Sequence, residues 1–168
     1  MSTLIDSYVE GNYDADAYLF GVHPSSGAFS AYGQCFTGMA GYNLKTAKFY
    51  LWRNGNPQGN LRAVLYAMTE TYGSNGVPTG NPLAQSDLVA MSSVPADSPG
   101  LITFTFPSPY YTLGNGNYCM VLLVNDATVF DASNFIGGGF DASSPTHGGN
   151  YFDYGYSTWT IYGDRDSI

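Results

Sequence analysis

Positive charge is scarce in this sequence. It has 5 Lys and Arg residues against 13 Asp and Glu residues, which gives a formal net charge of −8. Proteins that neutralise nucleic-acid phosphates, or that bind anionic membrane surfaces, need clusters of Lys and Arg. We therefore expect no nucleic acid and no anionic membrane surface among the partners of this protein.

Long apolar runs and helix-forming residues are also few. No run approaches the roughly 20 consecutive apolar residues of a membrane-spanning helix, so we expect no membrane insertion. Charged residues make up only 11% of the chain, against about 25% in an ordinary soluble domain. With so little Glu and Lys, the chain cannot build many amphipathic helices.

Motifs for catalysis are missing as well. The two histidines, His23 and His147, lie in segments rich in Pro, Ser and Gly. The sequence has no Gly-x-Ser-x-Gly motif, no phosphate-binding loop and no His-Glu-x-x-His motif. We therefore expect no enzymatic activity and no cofactor.

The two cysteines carry no metal-binding pattern either. Cys35 and Cys119 lie in separate apolar runs, and neither belongs to a Cys-x-x-Cys motif. They form either one disulfide, if their strands adjoin, or two buried thiols that behave as small apolar side chains.

Tyr, Phe and Gly are abundant instead, and they occur in short strand-like runs. The run 44–53 alternates, with Ala47, Phe49 and Leu51 on one face. The runs 61–68 and 118–124 are apolar on both faces, as in strands that are covered from both sides. Further runs span 18–22, 34–37, 101–106, 135–140 and 159–162, whereas 83–91 fits a strand or a helical turn.

Turn residues separate these runs. The segment 73–82 holds Gly and Pro residues and is predicted to be a loop. Several short strands with Gly, Pro and Asn turns, and no helical crossovers, predict an antiparallel β-sandwich, most simply a jelly roll.

Four segments carry a resemblance to a known group of domains. They are Gly33-Gln34-Cys35-Phe36-Thr37-Gly38, the strand 44–51, the turn and strand 55–67, and the loop 141–150. Together they resemble the carbohydrate-binding-module-like jelly rolls, also called choice-of-anchor domains, of phage tail, secreted and environmental proteins. The resemblance implies the sandwich fold, and an extracellular or virion-surface location.

The end of the chain differs from that family pattern, in which the run at 159–162 leads into one more apolar strand. We therefore expect a sandwich left one strand short and completed by a strand from a neighbouring copy. The candidate donor lies in residues 1–16, which comprise a strand and a linker, and residues 17–168 form the sandwich. The alternative is that 159–162 is the final strand. The candidate assembly residues are Leu4, Ile5, Tyr8 and Val9.

Aromatic residues in or beside loops suggest sugar binding, because flat aromatic faces stack on pyranose rings. The candidates are Tyr110, Tyr111, Tyr151, Tyr154 and Trp159. The same residues would also suit packing between subunits, where Tyr and Trp are enriched.

Carboxylates in the loops could hold a structural calcium ion, which prefers oxygen ligands. The candidates are Asp126, Asp131 and Asp141, none of them in an EF-hand pattern. The alternative is that these side chains form Asx turns.

The leading prediction is a non-catalytic structural subunit of an extracellular filament, appendage or virion surface, with identical copies as its partners. The alternative is a carbohydrate-binding module that recognises surface glycans.

Overall fold

The computed structural model describes residues 3–7, 10–18, 22–23, 27–96, 98–126, 129, 131–143, 146–155 and 158–167. Helical structure in these ranges consists of two short 3-10 turns, Glu10–Asn12 and Met91–Ser93. Within the same ranges, no helix combines the length and the apolar character needed to cross a membrane. The prediction of an all-β fold is confirmed.

The strands form two antiparallel sheets. The five-stranded sheet contains β1 (Ala15–Tyr18), β4 (Thr46–Asn54), β8 (Gly100–Thr105), β10 (Phe135–Asp141) and β13 (Asp166–Ser167). The eight-stranded sheet contains β2 (Val22–His23), β3 (Gly27–Thr37), β5 (Asn60–Thr69), β6 (Val77–Gln85), β7 (Val89–Ala90), β9 (Asn117–Val124), β11 (Tyr151–Gly155) and β12 (Thr158–Tyr162).

Eight of these strands follow the jelly-roll order. Four lie side by side as β1-β10-β4-β8, and four as β3-β9-β5-β6. The chain passes back and forth between the two sheets, which produces the paired Greek keys of this fold. β11 and β12 extend the second sheet beyond β3.

The main core lies between the sheets and consists of their inward-facing side chains. Leu51 and Phe104 of the first sheet and Tyr32 and Leu122 of the second are each 0% exposed. The alternation predicted for β4 is confirmed, and the face that carries Phe49 and Leu51 is the buried one.

A second, smaller cluster lies on the opposite face of the eight-stranded sheet. Cys35 and Cys119 are paired across β3 and β9, and Val121 and Phe152 pack beside them. Large side chains such as Trp159 cover this cluster. The central strands β5 and β9 are therefore apolar on both faces, as their sequences predicted.

The segment 73–82 was predicted to be a loop, and this is wrong for its second half. Residues from Val77 onward belong to β6, which includes Pro78 and Pro82. β6 lies at the end of its sheet and pairs only with β5 along the main path. An edge strand tolerates proline because it needs backbone donors on one side only.

The end of the chain adds one further short strand to the sandwich. The described chain supplies all eight strands of the jelly roll, and the short strand β13 pairs with Phe140–Asp141 of β10. The predicted boundary between residues 16 and 17 falls inside β1, which pairs with β10 from Ala15 onward.

Candidate functional site

The five-stranded sheet is interrupted between β4 and β10. β10 pairs with β4 only where Phe135–Gly138 faces Leu51–Asn54. Farther along β10, Phe140 and Asp141 pair with β13 instead. Within the described ranges, the first half of β4, Thr46–Tyr50, therefore has a strand partner only on its β8 side. We call the opening between this half of β4 and β13 the fissure.

The fissure opens into the main core. It is a cavity of about 900 Å³, and apolar side chains of both sheets line it. Phe36, Leu44 and Phe49 are buried core residues that border it. Two exposed lysines, Lys45 and Lys48, also border it. The cavity thus combines an apolar interior with a positively charged rim.

Residues 3–7, which we call the N-terminal segment, lie along this fissure. Ile5 packs against the main core, whereas Leu4 is 73% exposed. The segment is irregular and pairs with no strand of the described chain. Of the predicted assembly residues, Ile5 and Leu4 both line the fissure, Ile5 packed against the core and Leu4 mostly exposed, while Tyr8 and Val9 lie outside the described residues.

Asp6 fixes the N-terminal segment to His147. The Nε2 atom of His147 lies 2.9 Å from both carboxylate oxygens of Asp6. On the other side of the ring, Nδ1 accepts a hydrogen bond from the backbone N–H of Gly149 at 3.0 Å. The hydrogen bond with Asp6 raises the pKa of His147 above its usual value.

Sequence reasoning did not identify this contact. His147 was placed in a loop, and no spacing or motif links it to Asp6, which lies at the other end of the chain. A pairing of this kind depends on the tertiary fold, so a single sequence carries no signal for it.

The predicted sugar-binding aromatics do not form one surface. Tyr110 and Tyr111 line a hollow of about 300 Å³, and Tyr110 is 40% exposed. Tyr154 and Trp159 lie 4.8 Å apart between ring centroids, on the opposite face of the eight-stranded sheet from the main core. Tyr151 was predicted beside a loop, but it faces the core and is 1% exposed, so it cannot stack on a sugar.

The predicted calcium ligands accept hydrogen bonds from other groups of the chain. Asp126 accepts from the backbone and side chain of Asn60, and Asp131 accepts from the backbone of Ser133. Asp141 is buried and accepts from the backbone of a residue two positions later. Among the described residues, no group of three or more His, Cys, Asp or Glu side chains could hold a metal ion.

No family model, no curated protein and no solved structure matches this chain. The resemblance seen in the sequence is supported at the level of an antiparallel two-sheet sandwich.

Proposed function

We propose that this chain is a non-catalytic structural subunit that assembles with identical copies by strand exchange at the fissure. One observation supports this proposal above others. The β4 edge from Thr46 to Tyr50 has no strand partner on the side of the fissure within the described ranges, and the segment beside it forms no strand.

Such an edge favours the addition of another strand. An unpaired edge presents backbone donors and acceptors that a second extended segment can satisfy. An inserted strand would also bury the apolar lining that the N-terminal segment covers only in part. In the closed molecule, where the N-terminal segment lies along its own fissure, these backbone hydrogen bonds and this apolar burial are missing. Both are gained when a strand pairs with β4.

The N-terminal segment of a neighbouring copy is the proposed donor. Ile5 already packs against the core through the fissure, so the same side chain can anchor a donated strand. A segment of one copy placed in the fissure of the next is a head-to-tail contact, which produces rings or filaments. Such a subunit would belong to an extracellular filament, an appendage or a virion surface.

The test uses the full-length protein and a pair of matched variants. Light scattering and electron microscopy of the wild type should show rings or fibres at micromolar concentration. Ile5→Asp places a charge against the apolar core and should prevent assembly. Leu88→Asp adds the same charge at an exposed leucine that does not line the fissure, so it should assemble like the wild type.

Hydrogen exchange provides a second readout. Backbone amides of residues 3–7 should exchange rapidly in the monomer, where they have no strand partner, and slowly in the assembled state. A wild-type protein that stays monomeric at tens of micromolar, or an Ile5→Asp variant that assembles normally, would refute strand exchange.

The hollow at Tyr110 and Tyr111 supports a second candidate function, the recognition of surface glycans. Its lining also includes Gln85, Pro107 and Pro109, so an exposed aromatic ring lies beside an amide that can form hydrogen bonds. This combination suits a sugar ring.

A glycan array tests this second candidate. Tyr110→Ala should abolish retention of any glycan that the wild type binds. The control is Tyr42→Ala, because Tyr42 is also 40% exposed but does not line this hollow. Equal retention by the wild type and Tyr110→Ala would exclude the hollow as a sugar site.

A further inference from the structure

His147 is held in a fixed position by groups outside the N-terminal segment. Its Nδ1 atom accepts from Gly149 and lies 3.0 Å from the side-chain nitrogen of Gln34. Its backbone N–H donates to Asp166 Oδ2 at 2.8 Å. Because Nδ1 is an acceptor, the proton of a neutral ring lies on Nε2, directed at the position of the Asp6 carboxylate.

The residues behind His147 belong to two different strands. Gln34 on β3 donates to Asp166 Oδ1 at 3.0 Å, and its own side-chain oxygen accepts from the backbone of Ser167 at 2.9 Å. Gln34 of β3 thus contacts the ring, and Asp166 of β13 holds both Gln34 and the backbone of His147, through contacts that do not involve the N-terminal segment. The site that receives Asp6 is therefore already formed before a donor arrives, which lowers the cost of binding.

The N-terminal segment presents two complementary groups in adjacent positions. Ile5 enters the apolar fissure, and Asp6 lies at its rim on His147. The rim also carries Lys45 and Lys48, which favour an acidic donor. The sequence after Ser7 continues with further acidic residues, at 10, 14 and 16.

We propose that His147 determines which segment the fissure accepts, by binding a carboxylate that directly follows the apolar anchor of the donor. The partner is a second copy of this chain, and its Asp6 occupies the position that the same residue of the first copy holds in the closed molecule. This inference rests on the proposed function, because it specifies what the strand-exchange site recognises.

The charges around the ring fit this role. Asp6 and Asp166 are the two carboxylates that act on His147, and Asp6 has the larger effect on its raised pKa. A raised pKa means that the contact with Asp6 is stronger for the protonated ring than for the neutral one. Because the closed molecule makes the same contact within one copy, its change with pH acts on the closed and the assembled state alike.

The test exchanges the two charges between copies of the full chain. The variants are Asp6→Lys, His147→Glu and the double variant. A glutamate at 147 can still accept hydrogen bonds from Gly149 and Gln34. The control is Asp87→Lys, which makes the same change of charge at an exposed residue.

Each single variant loses the contact in the closed molecule and in the assembly alike, so each should assemble at about the wild-type concentration. A mixture of the two single variants should need about tenfold less protein than either variant alone, because each donor finds a matching acceptor only in the other variant and so gains one charge-assisted hydrogen bond on assembly. The double variant has a matching pair in both states, so it should assemble like the wild type, as should Asp87→Lys.

The outcomes separate the two proposals. If the mixture needs as much protein as the single variants alone, His147 does not select the donor, although strand exchange stands. If His147→Glu does not fold, a mixture of Asp6→Lys with His147→Gln makes the same comparison, because the Asp6 of one variant then meets the His147 of the other. If the wild type never assembles, both proposals are wrong.

Discussion

Asp153 on β11 is a buried carboxyl group, and replacing it should stabilise the protein in a pH-dependent way. Its side chain is 5% exposed, and Oδ1 has no hydrogen-bond partner among the described residues. Burial raises the pKa of Asp153 from 3.8 to about 6, although a hydrogen bond from Tyr162 and the charge of Arg165 act in the opposite direction. Above pH 6 the folded protein therefore contains a carboxylate that burial disfavours.

The size of this effect follows from the two pKa values. Between 3.8 and about 6, at 1.36 kcal/mol for each pH unit, the cost of ionised Asp153 reaches about 3 kcal/mol. The pKa of Asp153 is higher in the folded protein than in the unfolded one. The wild type therefore pays no such cost below pH 3.8, and it loses stability as the pH rises through about 6. Asp153→Asn removes the charge and keeps an oxygen that can accept from Tyr162. Its NH2 group replaces the buried Oδ1 that has no partner among the described residues, which costs about 1 kcal/mol.

We therefore expect Asp153→Asn to match the wild type at pH 4.5 and to exceed it by about 2 kcal/mol at pH 8. At that pH, its Tm should be about 4–8 °C higher. Guanidinium unfolding at pH 4.5, 6 and 8 measures the difference, with the exposed Asp87→Asn as a control that should stay within about 0.5 kcal/mol throughout. A variant that is less stable at pH 8, or a difference that does not change with pH, would refute the reasoning.

Two further predictions concern packing. A Cβ atom at Gly137 would lie 2.2 Å from Nε1 of Trp52, so Gly137→Ala should lower the free energy of unfolding by about 1–3 kcal/mol. Gly163 has open space around it, so Gly163→Ala should change the free energy of unfolding little. Equal effects of the two variants would contradict the argument. The Sγ atoms of Cys35 and Cys119 lie 3.2 Å apart in the second cluster, and the hydrogen bond between them, together with burial, raises the pKa of Cys119. Since both side chains are buried, both thiols should resist alkylation in the native protein and react after denaturation, as mass spectrometry would show; rapid native labelling would count against this.

The jelly roll could be predicted because local pattern and tertiary structure agree in most strands. β4 alternates as a strand with one buried face should, and its inward residues Phe49 and Leu51 are buried. β9 is apolar on both faces, and it lies between β3 and β5 with a cluster on each side. In such strands, burial alone determines the residue types.

Other features depend on neighbours that a single sequence does not reveal. β6 contains proline because only one of its edges needs backbone donors, which becomes evident only from its position in the sheet. Tyr151 resembles a loop aromatic until its pairing with Gln34 on β3 places it in the interior. The fissure itself arises because β10 changes partner after Gly138, and no local pattern records such a change.

The N-terminal segment also affects when polymerisation of the subunits begins. A subunit that covers its own fissure can be synthesised and transported as a closed monomer, and polymerisation then waits until the segment is released. The first contacts would be slow to form and growth from an existing end would be faster, so a lag phase should precede fibre growth. Preformed fragments should shorten this lag, and conditions that loosen the contact of Asp6 with His147 should shorten it as well.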